Sequence, residues 1–240
     1  MSLVTIYHTT DLHGRLSLFP TLKELKDKSL LFDSGDAISG GSIFYYSNEP
    51  ILQEMNSVPY TAMALGNREF SYFRKIFKKR LESINFTILS ANLKPAGNMV
   101  INNLKPFKII DYLNLKISVT ALSPIQYSKH SFLSKISGLE FISYEEALSD
   151  LYGNSEFSCS DMIILLSHAG HHEDLKIAEK FPEIDLILSG HSHISFKKPV
   201  IRNGVYICQS GAFGKFVSKF SFKFEKGNIS DFVSEQITPK

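Results

Sequence analysis

Five times along this 240-residue chain, a short apolar run ends in a turn carrying carboxylate, imidazole or amide side chains. "LVTIYHTT" (3–10) leads to Asp11 and His13 of "DLHG", and "SLLFDSGD" (29–36) ends on Asp36. "YTAMAL" is followed by Asn67 of "LGNREF", "MIILLS" by His168, and "LILSG" by His191 and His193 of "GHSH". Apolar and β-branched runs bounded by Gly, Ser, Asn and Asp read as strands. "FTILSANL" (86–93) and "LKISVTALS" (115–123) read the same way, and 161–170 and 184–193 repeat the strand-then-turn pattern.

Helix-like stretches stand between the strands. "PTLKELKDK" (20–28) has a leading proline and helical spacing of Leu22 and Leu25. In "EFSYFRKIFKKRLESI" (69–84) the residues Phe70, Phe73, Phe77 and Leu81 would share one helix face. "SYEEALSDLYG" (143–153) has Ser143 and Glu146 at capping-box spacing, and "HEDLKIAEKF" (172–181) is a further helix. The tail, "GVYICQSG", "KFVSKFSFKFEKG" and "NISDFVSEQI", alternates apolar and polar around a Lys-Gly-Asn turn and predicts antiparallel hairpins. No repeat or linker interrupts this order, so one α/β domain over 1–240 with mixed sheets is expected. In open α/β sheets ligands collect beyond the carboxyl ends of the strands. The five polar turns are therefore expected to converge on one pocket.

Composition removes several other functions. A net charge of +2 gives no general attraction to nucleic acid, and the "KKR" at 78–80 reads as a solvated helix face. Cys159 and Cys208 lack the spacing of a zinc ribbon, and two cysteines make no disulfide scaffold, although one bridge is compatible. No stretch reaches the ~18 apolar residues of a membrane span. The first residues enter a strand with no secretory pattern. The chain as it stands reads as cytoplasmic, or periplasmic if a signal peptide has been trimmed.

A lone Asp at a strand end is ordinarily a turn former. Here the same placement recurs, and the set comprises two Asp, one Asn and four His. Oxygen and nitrogen donors without thiolate suit Mn, Fe, Zn or Co. Seven donors are too many for one ion with an open position, but suit a pair sharing a carboxylate. Such pairs sit ~3.5–4 Å apart and clamp the attacking and leaving oxygens of a displacement.

The ordered set "DLH", "SGD", "GNRE", "SHAG" and "GHSH" resembles the calcineurin-like metallophosphoesterases, and among them the 5′-nucleotidase branch. The context "YHTTDLHG", "ALGNREF", "SANL", "LLSHAGHHEDLKIAEKFPEIDLILSGHSH" and "CQSGAFGKFV" extends the resemblance from about residue 4 to 224. It implies a four-layer αββα sandwich with two divalent ions, manganese foremost, at the sheet edge. Asp11, His13, Asp36 and His193 would hold the first ion. Asp36 as the bridge, with Asn67, His168 and His191, would hold the second. The implied reaction is phosphoester or phosphoanhydride hydrolysis by a metal-bridging hydroxide.

Two departures qualify the resemblance. Arg68 stands where the family has the "GNH" histidine, and Ser71 where the nucleotidase branch has an Asp that orients it. In that branch a further domain binds the nucleoside, and it would begin where this sequence stops. Arginine cannot act as a general acid, since its pKa exceeds ~12, but it can hold an anionic oxygen through two parallel bonds. Arg68 is thus expected to be an oxyanion clamp, acting beside Asp36 and Asn67, with a surface salt bridge as the alternative. Arg15 is a second candidate for substrate contact. His171 or His172 could substitute as an acid, though a helix start facing solvent is the simpler reading. His8 is expected to be packed or hydrogen-bonded, His130 inert and Tyr72 part of the helix packing.

The expected partner is a small phosphorylated or other oxyanion substrate, with no nucleic acid or membrane. Other readings are a 5′-nucleotidase catalytic domain, a hydrolase of a sulfur oxyanion, and a metal-binding module without turnover.

Overall fold

The structure, a computed structural model, describes residues 2–25, 29–40, 49–95 and 101–240. In chain order its strands are β1 (Ser2–Thr9), β2 (Leu30–Asp33), β3 (Ala62–Ala64), β4 (Thr87–Leu89), β5 (Leu93–Pro95), β6 (Leu104–Lys105), β7 (Phe107–Tyr112) and β8 (Leu115–Leu122). They continue with β9 (Leu139–Phe141), β10 (Met162–Ser167), β11 (Leu186–Ser189), β12 (Val200–Arg202), β13 (Val205–Gln209), β14 (Val217–Glu225) and β15 (Asn228–Ile237). The helices are α1 (Phe19–Leu22), α2 (Pro50–Asn56), α3 (Arg74–Glu82), α4 (Phe132–Ser137), α5 (Tyr144–Tyr152), α6 (Ser155–Ser158) and α7 (His171–Lys180).

Two mixed sheets dominate. One has the order β15-β14-β1-β2-β3-β4-β6 and the other β12-β13-β11-β10-β8-β7, with β5 and β9 forming a separate pair. Strands β1, β2, β3, β4 and β6 run parallel, as do β8, β10, β11 and β13. Alternation of side chains along each strand divides the apolar residues among three cores. Val4, Ile6, Phe32 and Ala64 of the first sheet meet Val119, Ile164, Leu166 and Leu188 of the second. On the outer face of the first sheet, Leu31, Met63 and Ile88 pack with Leu22, Met55, Phe77 and Leu81 of α1, α2 and α3. On the outer face of the second, Ile163, Leu165 and Ile187 pack with Leu148, Phe157 and Ile177 of α5, α6 and α7. The result is the αββα order. No helix among the described residues is long and apolar enough to cross a membrane.

Several sequence expectations need correction. Helix α3 starts at Arg74 rather than at 69, so Phe70 is not on its face. The Glu69 carboxylate accepts bonds from four backbone N–H groups, and the Ser71 hydroxyl accepts one from Phe73 N, which together hold this stretch in a turn. Phe70 instead packs its ring against Tyr72, Phe77, Tyr127 and Phe141. Lys78 and Lys79 are exposed as expected, but Arg80 is 5% exposed, its Nη1 donating to the carbonyls of Arg68, Glu69 and Phe70. The helix expected over 20–28 is observed as Phe19–Leu22, and 26–28 lie outside the described residues.

The run 86–93 divides between β4 of the first sheet and the start of β5, and α2 has no counterpart in the sequence expectations. In the tail, β14 and β15 form the expected hairpin, with Lys226 and Gly227 at φ 50° and 76°, as a primed turn requires. Strand β13 pairs antiparallel with β12 but also parallel with β11, a pairing alternation alone could not reveal. Ser143 caps α5 by accepting from Glu146 N at 3.1 Å, and both cysteines are free.

Candidate metal centre

The polar turns all follow the carboxyl ends of parallel strands: β1, β2 and β3 in one sheet, β10 and β11 in the other. The turns are tight and strained. Asp11, His13, Asp36, His191 and His193 all have positive φ, between 48° and 70°. Such left-handed residues cost on the order of 1–3 kcal/mol each, and they persist where the surroundings over-determine them. Backbone bonds from Asp11 N to Gly35 O (2.9 Å) and from His13 N to Asp36 O (3.0 Å) lock the first two turns together. A Cβ on Gly66 would lie 2.2 Å from Asp36 Oδ1, so only glycine permits the third turn to approach.

Two clusters of ligand-type atoms result, each within 4.8 Å: Asp11 with His13 and His193, and Asp11 with Asp36 and His168. The carboxylate common to both is Asp11, whereas the family resemblance assigns bridging to Asp36. His193 Nε2 is 3.3 Å from Asp11 Oδ1, His168 Nε2 is 3.5 Å from Asp36 Oδ1, and the Nε2 atoms of His13 and His193 are 3.1 Å apart. The rings of His168 and His191 have centroids 5.1 Å apart. Asn67 precedes Arg68, whose N–H donates to Asp36 Oδ1 at 2.7 Å.

The donor set fits a cation. Asp11 Oδ1, Asn67 Oδ1 and His168 Nε2 are buried without hydrogen-bond partners, which is costly for groups of this kind. His168 Nδ1 donates to the carbonyl of Ser34 at 2.5 Å, which fixes the tautomer and leaves Nε2 to face the carboxylates. Burial lowers the affinity of the His168 imidazole for a proton, but Asp36 and Asp11 outweigh it and raise the pKa to about 9. Burial pushes the Asp11 carboxyl up. For Asp36 burial acts upward too, but His168 and the Arg68 amide prevail and hold it below its ordinary value. Burial, then the Arg68 charge, lower His13 to about 4, and burial lowers His191, so both tend toward the neutral, ligating form. A buried pair of carboxylates calls for positive charge, and a divalent ion would supply it.

Arg68 lies at the edge of this cluster. Its Nη1 donates to Ser39 O (2.9 Å) and Gly40 O (3.3 Å), its Nε is 3.7 Å from Asp36 Oδ2, and its side chain is 37% exposed. The bonding is thus to backbone and to Asp36, unlike a simple surface salt bridge. Arg15 is exposed, and its N–H donates to Leu12 O at 3.0 Å within the "DLHG" turn. Ser71 is buried and bonds to Phe73 N. His172 is exposed beside Glu173, while His171 starts α7 half-buried with its ring edge-on to Phe196. His130 pairs with Glu140 at the surface, and Tyr72 packs on Phe70 and Tyr127.

Three supporting groups were not singled out from sequence. Glu69 is fully buried and gathers the N–H groups of Asp36, Ala37, Ile38 and Gly66 at 2.8–3.2 Å, thereby shaping two of the turns. Its place after "GNR" was the available signal. Ser34 donates to Leu188 O (2.6 Å), so His8 Nε2–H must donate to Ser34, and His8 Nδ1 accepts from Ser210. His8 is thereby hydrogen-bonded and neutral, with burial lowering its pKa to about 3. Phe213, at φ 64° and 44% exposed, places its ring 5.0 Å from that of His13 and 5.1 Å from that of His193. Only its flanking glycines hinted at the strained turn.

Residues 4–195 match the family model described as calcineurin-like phosphoesterase. A 5′-nucleotidase of Vibrio cholerae is 30% identical over 98% of this chain and 51% of its own length. A 5′-nucleotidase precursor of Thermus thermophilus superposes with a TM-score of 0.81 at 21% identity, over 99% of this chain and 55% of that one. The sulfate thiohydrolase SoxB of Thermus thermophilus also gives 0.81, at 19% identity, over 98% and 56%. These two likenesses concern the fold. The chain spans about half the length of the curated relatives it matches. Ordered motifs, four-layer fold and family match agree: the chain belongs to the calcineurin-like phosphoesterase family.

Proposed function

We propose that this chain is a hydrolase of phosphoesters or phosphoanhydrides working with two divalent ions, manganese foremost. The observation that carries the reading is the pair of ligand clusters meeting at Asp11, built from the strand ends of both sheets. The family resemblance would assign Asp11, His13, Asp36 and His193 to one ion and Asp36, Asn67, His168 and His191 to the other, whereas the observed clusters share Asp11. Bound divalent ions supply a water-derived nucleophile at neutral pH and neutralise charge on the attacked group.

The chain's own residues set what is attacked. Arg68 is oriented by the Ser39 and Gly40 carbonyls, and its side chain is partly open to solvent. It can bind an anionic oxygen and stabilise charge that develops during transfer, but it cannot give up a proton. Substrates whose leaving groups need no proton, such as aryl esters and anhydrides, are therefore favoured. Arg15, on the exposed flank of the "DLHG" turn, is a candidate for a further contact with the substrate anion. General acid help is worth ~10²–10⁴-fold, and a ribose hydroxyl leaving group forgoes it here.

A second reading, hydrolysis of nucleoside 5′-phosphates, is supported by the names of the relatives. Bis(p-nitrophenyl) phosphate, p-nitrophenyl phosphate, AMP and ADP, tested side by side with manganese-loaded protein, separate the two. Metal-dependent turnover of the aryl esters or ADP, weak on AMP and lost in Asp36→Asn, supports the first reading. Strong turnover of AMP supports the second, and silence on all four rejects both.

A further inference from the structure

Helix α7 begins immediately after the His168 turn, and its first turn reaches back to two strand ends at once. The Asp174 carboxylate is fully buried. Ser167, the last residue of β10, donates its hydroxyl to Asp174 Oδ1, and Ser189, the last residue of β11, donates to Asp174 Oδ2. Each carboxylate oxygen thus holds one of the two strands that lead to His168 and His191. The Ser167 hydroxyl also accepts from Ala169 N at 3.2 Å, which closes the turn around His168. A second stitch joins the same helix to the "GHSH" turn, His171 N donating to Ser192 Oγ at 2.7 Å. Gly190 N donates to Ser167 O at 2.8 Å, so the two turns are also tied to each other.

We propose that Asp174 is a positioning residue that sets the relation of His168 to His191, the two imidazoles of the second ion's ligand set. The inference rests on the two-ion reading given above. Asp174 touches neither imidazole, and it acts through Ser167 and Ser189. The first ion's other ligands, Asp11, His13 and Asp36, stand on turns of the other sheet and are held by backbone bonds between those turns and to Glu69, with one further bond from His191 N to Asp11 Oδ2. His193 is shared in sequence with the "GHSH" turn but lies against Asp11 and His13. Loss of Asp174 should therefore weaken one ion and spare the other. A residue that merely stabilised the fold would not discriminate between them.

Calorimetric titration of manganese into metal-free protein tests this without relying on turnover. The wild type should take up two ions. Asp174→Ala should keep one site at wild-type affinity and weaken the other by about 10–100-fold, the usual effect of removing a group that orients a ligand. Asp174→Asn, which can accept from one serine and donate to the other, should recover most of the loss. Ser189→Ala, a milder change, should give the same selective weakening if Asp174→Ala does not fold. Equal weakening of both sites, or unchanged binding in folded Asp174→Ala or Ser189→Ala, would overturn the proposal. Wild-type protein that binds fewer than two ions would overturn the two-ion reading itself, and the positioning role with it.

Discussion

Arg68 stands where the family resemblance places a histidine. A histidine there could carry a proton to a leaving oxygen, whereas a guanidinium remains charged and donates only hydrogen bonds. The structure gives Arg68 three roles in one residue: its N–H holds Asp36, its Nη1 holds the 39–40 backbone, and its carbonyl is held by Arg80. Arg68→His therefore separates acid chemistry from charge. The variant should gain on AMP relative to p-nitrophenyl phosphate by about tenfold or more, since only the ribose hydroxyl benefits from an acid. Steady-state kcat/KM for the two substrates checks this. Equal change on both would show that the missing proton donor does not set substrate preference. Backbone strain at Asp11, His13, Asp36, His191 and His193 belongs to the same scale, and it was invisible in sequence because Asp and His tolerate the left-handed region without demanding it.

At the scale of elements, an Asp just before a strand recurs as a device. Asp161 before β10 accepts from Lys116 N at 2.7 Å, and Asp185 before β11 accepts from Ile163 N at 2.7 Å. Each thus ties the start of one parallel strand to its neighbour. Burial raises the Asp185 carboxyl to about 7, against the hydrogen bond from Ile163. Between about pH 4 and pH 7 the folded chain then holds a proton that the unfolded chain has released, so stability falls as pH rises through this window and levels off above it. Asp185→Asn keeps an acceptor and removes the slope. The variant should gain on wild type between pH 5 and pH 8 in denaturant unfolding, and a difference that does not widen would contradict the assignment.

Elements with a strong local signal were legible in the sequence: β1, β10, α5 and α7 were all expected within a few residues. The start of α3 was not, because Phe70 keeps helical spacing while the Glu69 carboxylate binds N–H groups of the distant Asp36 turn and of Gly66 in its own turn. The parallel pairing of β13 with β11 was likewise hidden, since alternation reports burial and not the partner strand. The seven candidate ligands could be named because each follows a strand. The groups that aim them, Ser34, Glu69 and Asp174, could not, because their partners are backbone atoms or residues remote in the chain.

At the scale of the whole molecule, the centre exists only where the two sheets pack. Asp11, His13, Asp36 and Asn67 follow strands of one sheet, and His168, His191 and His193 follow strands of the other. The core of Val4, Ile6, Phe32, Val119, Ile164 and Leu166 between them holds the two halves of the candidate ligand set in place. If the centre holds two ions as proposed, each draws ligands from both sheets and hydrolysis should depend on filling both sites, since a pair of ions clamps attacking and leaving oxygens together. The most direct measurement is a manganese titration of metal-free protein that follows hydrolysis of bis(p-nitrophenyl) phosphate and bound metal in the same samples. Activity that rises as the second equivalent binds, and is absent in Asp36→Asn, is the expected result. Activity complete at one equivalent, or none with two ions bound, would contradict a two-ion phosphoesterase.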